Sequence, residues 1–179
     1  MHFRKLKNSE LNRLSEVAYK QAPKTPLILV LDNVRSLHNV GSVFRTADAF
    51  RLEKIYLCGI TATPPHKDIH KTALGATQTV SWEYAQDTML LLQDLKKAGH
   101  NIVAIEQTEN ATALQDYKPI PKQTTVFVYG NEVKGVQSAA INLCNEVVEI
   151  PQIGSKHSLN IAVSVGVTVW DFYSKLLPQ

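Results

Sequence analysis

The chain has 179 residues, 44% of them apolar and 20% charged, with a net charge of +3. This suits one globular domain with a full core and excludes a disordered or fibrous chain. No run approaches the roughly 20 apolar residues that a membrane span needs.

The opening MHFRKLKNSELNRL lacks the apolar core of a signal peptide, and Cys58 and Cys144 stand alone without metal-type spacing. The expected compartment is therefore the reducing cytoplasm. Residues 1–24 carry Arg4, Lys5, Lys7, Arg13, Lys20 and Lys24 against Glu10 and Glu16, a balance of +4 that leaves the remainder near −1. This basic N-terminal extension reads in two ways. It is an arm for phosphates, or a solvated helix whose Leu11, Leu14 and Ala18 dock as an apolar stripe.

After Pro23 and Pro26, residues 27–32 (LILVLD) read as a buried strand. A polar loop at 33–39 leads into a helix with Val40, Val43, Phe44, Ala47 and Phe50 on one face and Gly41, Arg45 and Asp48 on another. Residues 55–57 form the next strand, 69–74 a short helix closed by Gly75, and 79–82 a third strand. Residues 89–97 make a helix capped near Asp87 and ended by Gly99. Strands follow at 101–105, 124–129 and 147–150, with a helix around 136–143.

The segment after Ser158 is ambiguous locally. Ile161, Val163, Val165, Val167 and Val169 alternate as in a strand. Ser158 as N-cap, Lys175 in a last turn and Pro178 as a stop favour a helix, apolar nearly all round and therefore buried. Ala162 and Gly166, four apart, give that helix a smooth face for close packing, with a partner as one candidate for the far side. Strands alternating with helices predict an α/β fold, a mostly parallel sheet with helices on both faces, over a single domain spanning 1–179.

Ligands of such sheets bind beyond the carboxyl ends of the strands. There, Asn39-Val-Gly41-Ser-Val-Phe-Arg45-Thr-Ala47 sets a candidate N-cap and a first-turn glycine before an Arg. The pattern suits an anion held by the helix start and a guanidinium fork, or a plain capped helix with a surface Arg. Tyr129-Gly130-Asn131-Glu132-Val133-Lys134-Gly135 is a strand-to-helix turn. Gly130 would leave room for a ligand and Glu132 would orient a polar group, or the acid merely favours the helix dipole.

His66, Asp68 and His70 have the spacing of a partial metal site, but no further ligand cluster supports one, and with Lys67 and Lys71 they read as an exposed cationic loop. No metal is expected. The glycine fingerprints of phosphate loops and dinucleotide sites are missing, which argues against a nucleotide hydrolase or a nicotinamide oxidoreductase.

Together and in order, N-x-G-x-x-x-R-T-A at 39–47, G-N-E-x-x-G at 130–135 and I-P-x-x-G-x-x-x-S-L-N at 150–160 resemble the TrmH/SpoU family. These are the 2′-O-ribose RNA methyltransferases of the SPOUT class, and KTALGA at 71–76 also looks like a family segment. The resemblance spans about residues 27–175. It implies a C-terminal deep trefoil knot, which composition and periodicity would not suggest. It also implies S-adenosylmethionine as cofactor, an RNA substrate and a homodimer.

By matched position, cofactor contacts would include Thr108, Gly130, Ile150 and Leu159, much of it by backbone. Asn39, Arg45, Glu132, Ser158 and Asn160 would hold the active-site positions, with Arg45 facing the partner subunit's cofactor. A guanidinium is almost never neutral in protein. Arg45 is therefore expected to grip a phosphate and stabilise the developing alkoxide, with phosphate or water taking the proton.

Gln152 replaces a Met common in relatives, and Ala162 a Ser, which touches substrate detail rather than catalysis. The shortness of the chain favours transfer RNA over ribosomal RNA. The other readings are a catalytically inactive RNA-binding relative and a base-modifying enzyme of the same class.

Overall fold

The computed structural model describes residues 2–177, without the side chain of Asn8. Its strands are β1 (Thr25–Asp32), β2 (Leu52–Cys58), β3 (Trp82–Ala85), β4 (Asn101–Ile105), β5 (Thr112–Ala113), β6 (Thr125–Tyr129) and β7 (Glu146–Glu149). They form one sheet in the order β3-β2-β1-β6-β4-β7-β5, with every pairing parallel. α1 (Glu16–Gln21) precedes the sheet, the strands connect through α2 (Leu37–Ala49), α3 (Lys67–Ala73), α4 (Ala76–Thr79), α5 (Thr88–Lys97) and α6 (Ser138–Ile141), and α7 (Ile161–Leu176) closes the fold.

Alternation along the central strands splits the core in two. Leu27, Leu29 and Leu31 of β1 join Val103, Phe127 and Tyr129 beneath α2, α3 and α7. Ile28 and Val30 join Ile102, Ala104, Val126 and Val128 against Leu92 and Leu95 of α5 and Ala140 of α6. Both faces are thus covered, as the near-continuous apolar runs of β1 and β6 require.

The last segment is helical because Ile161, Val165, Val169 and Phe172 share one buried stripe, while Val163, Val167 and Trp170 face outward. The valine alternation is therefore two faces of a helix. Its N-cap is Asn160, whose side chain accepts from the Ala162 N–H, not Ser158. Pro178, read as its stop, lies outside the described residues.

Other boundaries move for identifiable reasons. Gly75 sits at φ +91° and starts α4, so 76–79 is helical and the third strand begins only at Trp82. Among the described residues only a 3₁₀ turn (Asn8–Glu10) precedes α1, and Leu11 and Leu14 are exposed, so the proposed stripe does not dock. Tyr19 instead enters the core, its hydroxyl donating to the Ala47 carbonyl. Among the described residues no helix is long and apolar enough to cross a membrane.

Candidate active site

A cavity of about 710 Å³ opens beyond the carboxyl ends of β4, β6 and β7, where a parallel sheet places its ligands. Its apolar wall includes Ile105, Val136, Ile141, Leu159 and Ile161, and its polar side includes Thr108, Asn131 and Ser158. Thr108, Gly130, Ile150 and Leu159, expected around a cofactor, all line it, as do Glu132, Ser158 and Asn160. Gln152 is on the lining too.

Asn39 stands just behind this rim. Its side-chain oxygen accepts from the Asn160 amide at 3.2 Å, and its own amide donates to Glu132 at 3.4 Å. Glu132 also accepts from the backbone N–H groups of Arg35 at 3.0 Å and Ser36 at 2.9 Å. Burial pushes the Glu132 carboxyl up, but the Arg35 and Ser36 N–H groups, with Asn39, outweigh it and hold the group below its ordinary range. Glu132 thus closes the loop before α2 rather than capping α6.

Arg45 is the exception. It lies exposed on α2 and is not part of the cavity lining.

Two glycine readings change. Ser36 caps α2 by accepting from Asn39 N–H, which puts Gly41 beyond the first turn. A Cβ on Gly41 would strike the Thr72 hydroxyl and the Ile69 carbonyl of α3, so this glycine admits a neighbouring helix and not a ligand. A Cβ on Gly130 would strike the backbone of Gly135 and Val136. The room it leaves is occupied by the tight turn, although the residue itself lines the cavity.

Glu106, which no sequence motif singles out, shapes the wall. One carboxylate oxygen accepts from Val136 N–H at 2.9 Å and the other from Gln107 N–H at 2.9 Å. Gln107 then donates to the His157 carbonyl at 3.1 Å, tying β4 to the segment before α7. Asn131 folds the 131–134 turn by accepting from Val133 and Lys134 N–H and donating to the Asn33 carbonyl. Its place in a GN dipeptide was the one available sign. His66 caps α3 through Nδ1, and no group of three metal-type side chains gathers among the described residues.

Residues 26–170 match the SpoU rRNA Methylase family. The 23S rRNA (guanosine-2′-O-)-methyltransferase RlmB of Nitrosomonas europaea is 31% identical over 149 residues, covering 82% of this chain and 55% of that protein. The chain thus spans little more than half the length of that curated relative. The A. aeolicus TrmH/SpoU tRNA modifying enzyme superposes with a TM-score of 0.77 at 26% identity, over 89% of this chain and 79% of the other. An AdoMet-bound rRNA methyltransferase from Sinorhizobium meliloti shares the fold with a TM-score of 0.80 at 24% identity, over 89% of this chain and 61% of the other. With the family matched across most of its length and the sheet reproduced in these structures, the chain belongs to the SpoU rRNA Methylase family.

Proposed function

We propose that this chain is an S-adenosylmethionine-dependent methyltransferase acting on a ribose 2′-hydroxyl of RNA. The polar chain Asn160–Asn39–Glu132 carries this reading, because three distant segments converge to build it at the cavity rim. The activities of the curated relatives support it.

The cavity fits the methyl donor in size and lining. Its volume lies in the range of small-molecule sites, its aliphatic wall suits a flat base, and Glu106 and Glu132 favour a cationic ligand. Thr108, Gly130, Ile150 and Leu159 would hold it, and when bound it supplies an electrophilic methyl group on a positive sulfur.

The chain's own residues then have to align the sugar and stabilise charge. Asn39, held between Glu132 and Asn160, presents a fixed amide, and Ser158 shapes the reacting end. Arg45 comes from a second copy of the chain, grips the adjacent phosphate as a fork and stabilises the 2′-oxyanion while phosphate or water accepts the proton. A homodimer meets this need. The exposed apolar stripe of Val163, Val167 and Trp170 on α7 supports it, with open space over Gly166 between them.

The same reading takes the segment around α7 as threaded into the family's trefoil knot and the basic residues of 1–24 as RNA contacts. Ribosomal RNA is supported at least as well as transfer RNA, since RlmB relatives recur among the matches. The whole reading is tested by titration calorimetry of the purified protein with S-adenosylmethionine and with S-adenosylhomocysteine. Saturable heat with one site per chain is expected, and its absence with both compounds would overturn the proposal.

A further inference from the structure

A second recess, of about 490 Å³, lies beside the edge strand β3 and away from the cavity. Its lining includes His66, Lys67, His70, Gln78 and Trp82, and no acidic residue. Trp82 is half-buried and held edge-on by Phe44, with ring centroids 6.5 Å apart at 84°. The core therefore fixes an aromatic ring in the lining of a pocket that also holds Lys67 and two histidines. His66 Nδ1 accepts from Asp68 N–H at 3.2 Å, which leaves its Nε2–H as a donor. Asp68, which follows Lys67, is paired with Lys71 at 2.8 Å and does not line the recess.

The helix bearing the recess also contacts the start of α2, which carries Asn39. The Thr72 hydroxyl of α3 donates to the His38 carbonyl at 3.0 Å, and His38 Nε2 lies 4.0 Å from Asp68. His66 Nδ1 is again 4.0 Å from Asp68, and His38 directly precedes Asn39. The Thr72–His38 hydrogen bond thus fixes α3, and with it the recess, against the residue that precedes Asn39.

We propose that this recess is an RNA subsite that takes a nucleotide flanking the methylated one. Its base stacks on Trp82, its edge meets the Gln78 amide, and its phosphate is held by His66, Lys67 and His70. Every nucleobase has a stacking face, so the ring tolerates any base while the amide adds a preference. The inference rests on the reading of the chain as an RNA methyltransferase, and it extends that reading to the path of the strand.

The test uses Trp170→Phe, which leaves Trp82 as the only tryptophan of the chain's two. Titration with hexauridylate should quench Trp82 fluorescence saturably. Adding Lys67→Ala and His70→Ala, both exposed positions, should weaken binding about tenfold. Gln78→Ala should alter the ratio of affinities for hexauridylate and hexaadenylate. Heat of S-adenosylhomocysteine binding should be the same in the Lys67, His70 and Gln78 variants as in Trp170→Phe alone.

No quenching, or quenching indifferent to Lys67 and His70, overturns the subsite. Equal quenching by polyglutamate overturns it in favour of an acidic protein. If RNA quenches Trp82 but no S-adenosylhomocysteine binds, the recess stands and the donor assignment falls. The reverse pattern removes the recess and leaves the donor assignment intact.

Discussion

The Asn160 side-chain amide donates to the Asn39 side-chain oxygen at 3.2 Å across 121 residues of chain. Each end of this bond is separately anchored. Asn160 caps α7 through its oxygen, and Glu132, beyond Asn39, closes the loop before α2. Asn39 is therefore the link that can be removed without unseating either helix.

Asn39→Ala should change unfolding stability by no more than about 1 kcal/mol, since its two neighbours keep their backbone contacts. Methyl transfer in single-turnover assays should fall by about a hundredfold, while calorimetric affinity for S-adenosylhomocysteine stays constant. Loss of donor binding would show that Asn39 supports the cavity rather than the sugar.

Glu132→Ala should be costlier for stability. It strips acceptors from the Arg35 and Ser36 N–H groups at an exposed position that water can reach, for an expected loss of about 1 kcal/mol in urea unfolding. Its pH dependence has a definite sign. A carboxyl held below its ordinary 4.5 contributes stability above about that pH and loses it as pH falls through the lowered folded value. The stability gap between the native chain and Glu132→Gln should therefore be full at pH 6 and shrink below about pH 4.5. A gap that widened on acidification would contradict the hydrogen-bond assignment.

Gly41→Ala puts a methyl group against the Thr72 hydroxyl and the Ile69 carbonyl. Overpacking of this kind costs about 1–3 kcal/mol. A lowered thermal midpoint with unaltered donor affinity in the folded protein is expected. Unchanged stability together with weaker RNA or donor binding would return Gly41 to a ligand-facing role.

The origin of Arg45 is testable by subunit complementation. Arg45→Ala and Asn160→Ala homodimers should each be nearly inactive. Mixed and re-equilibrated, they should regain activity, because one site of each heterodimer combines an intact cavity with an intact guanidinium from the other chain. No recovery, with heterodimers confirmed by native mass spectrometry, would place Arg45 and the cavity it serves in the same chain. Val167→Asp on the exposed stripe of α7 should give monomers by sedimentation and abolish transfer.

Much of the fold was legible because burial on both faces leaves a plain mark. The runs 27–31 and 102–105 are apolar throughout, and the polar ends of β4, β6 and β7 do converge on the cavity. What failed to show was long-range. Glu132 finds its acceptor role 96 and 97 residues away, and Gly41 is explained only by where α3 lies. Ser36 and Asn39 are both good caps by local chemistry, and only the bond from Asn39 N–H to Ser36 decides between them. β5, two residues long, carries no periodicity, so its pairing with β7 had no local signal.

The most direct test is to incubate the protein with methyl-labelled S-adenosylmethionine and RNA from cells lacking it, then digest the RNA to nucleosides. The account predicts label in a single 2′-O-methylated nucleoside, with alkali-resistant linkage at that position. Label on a base, or no transfer by a protein that binds the donor, would contradict it.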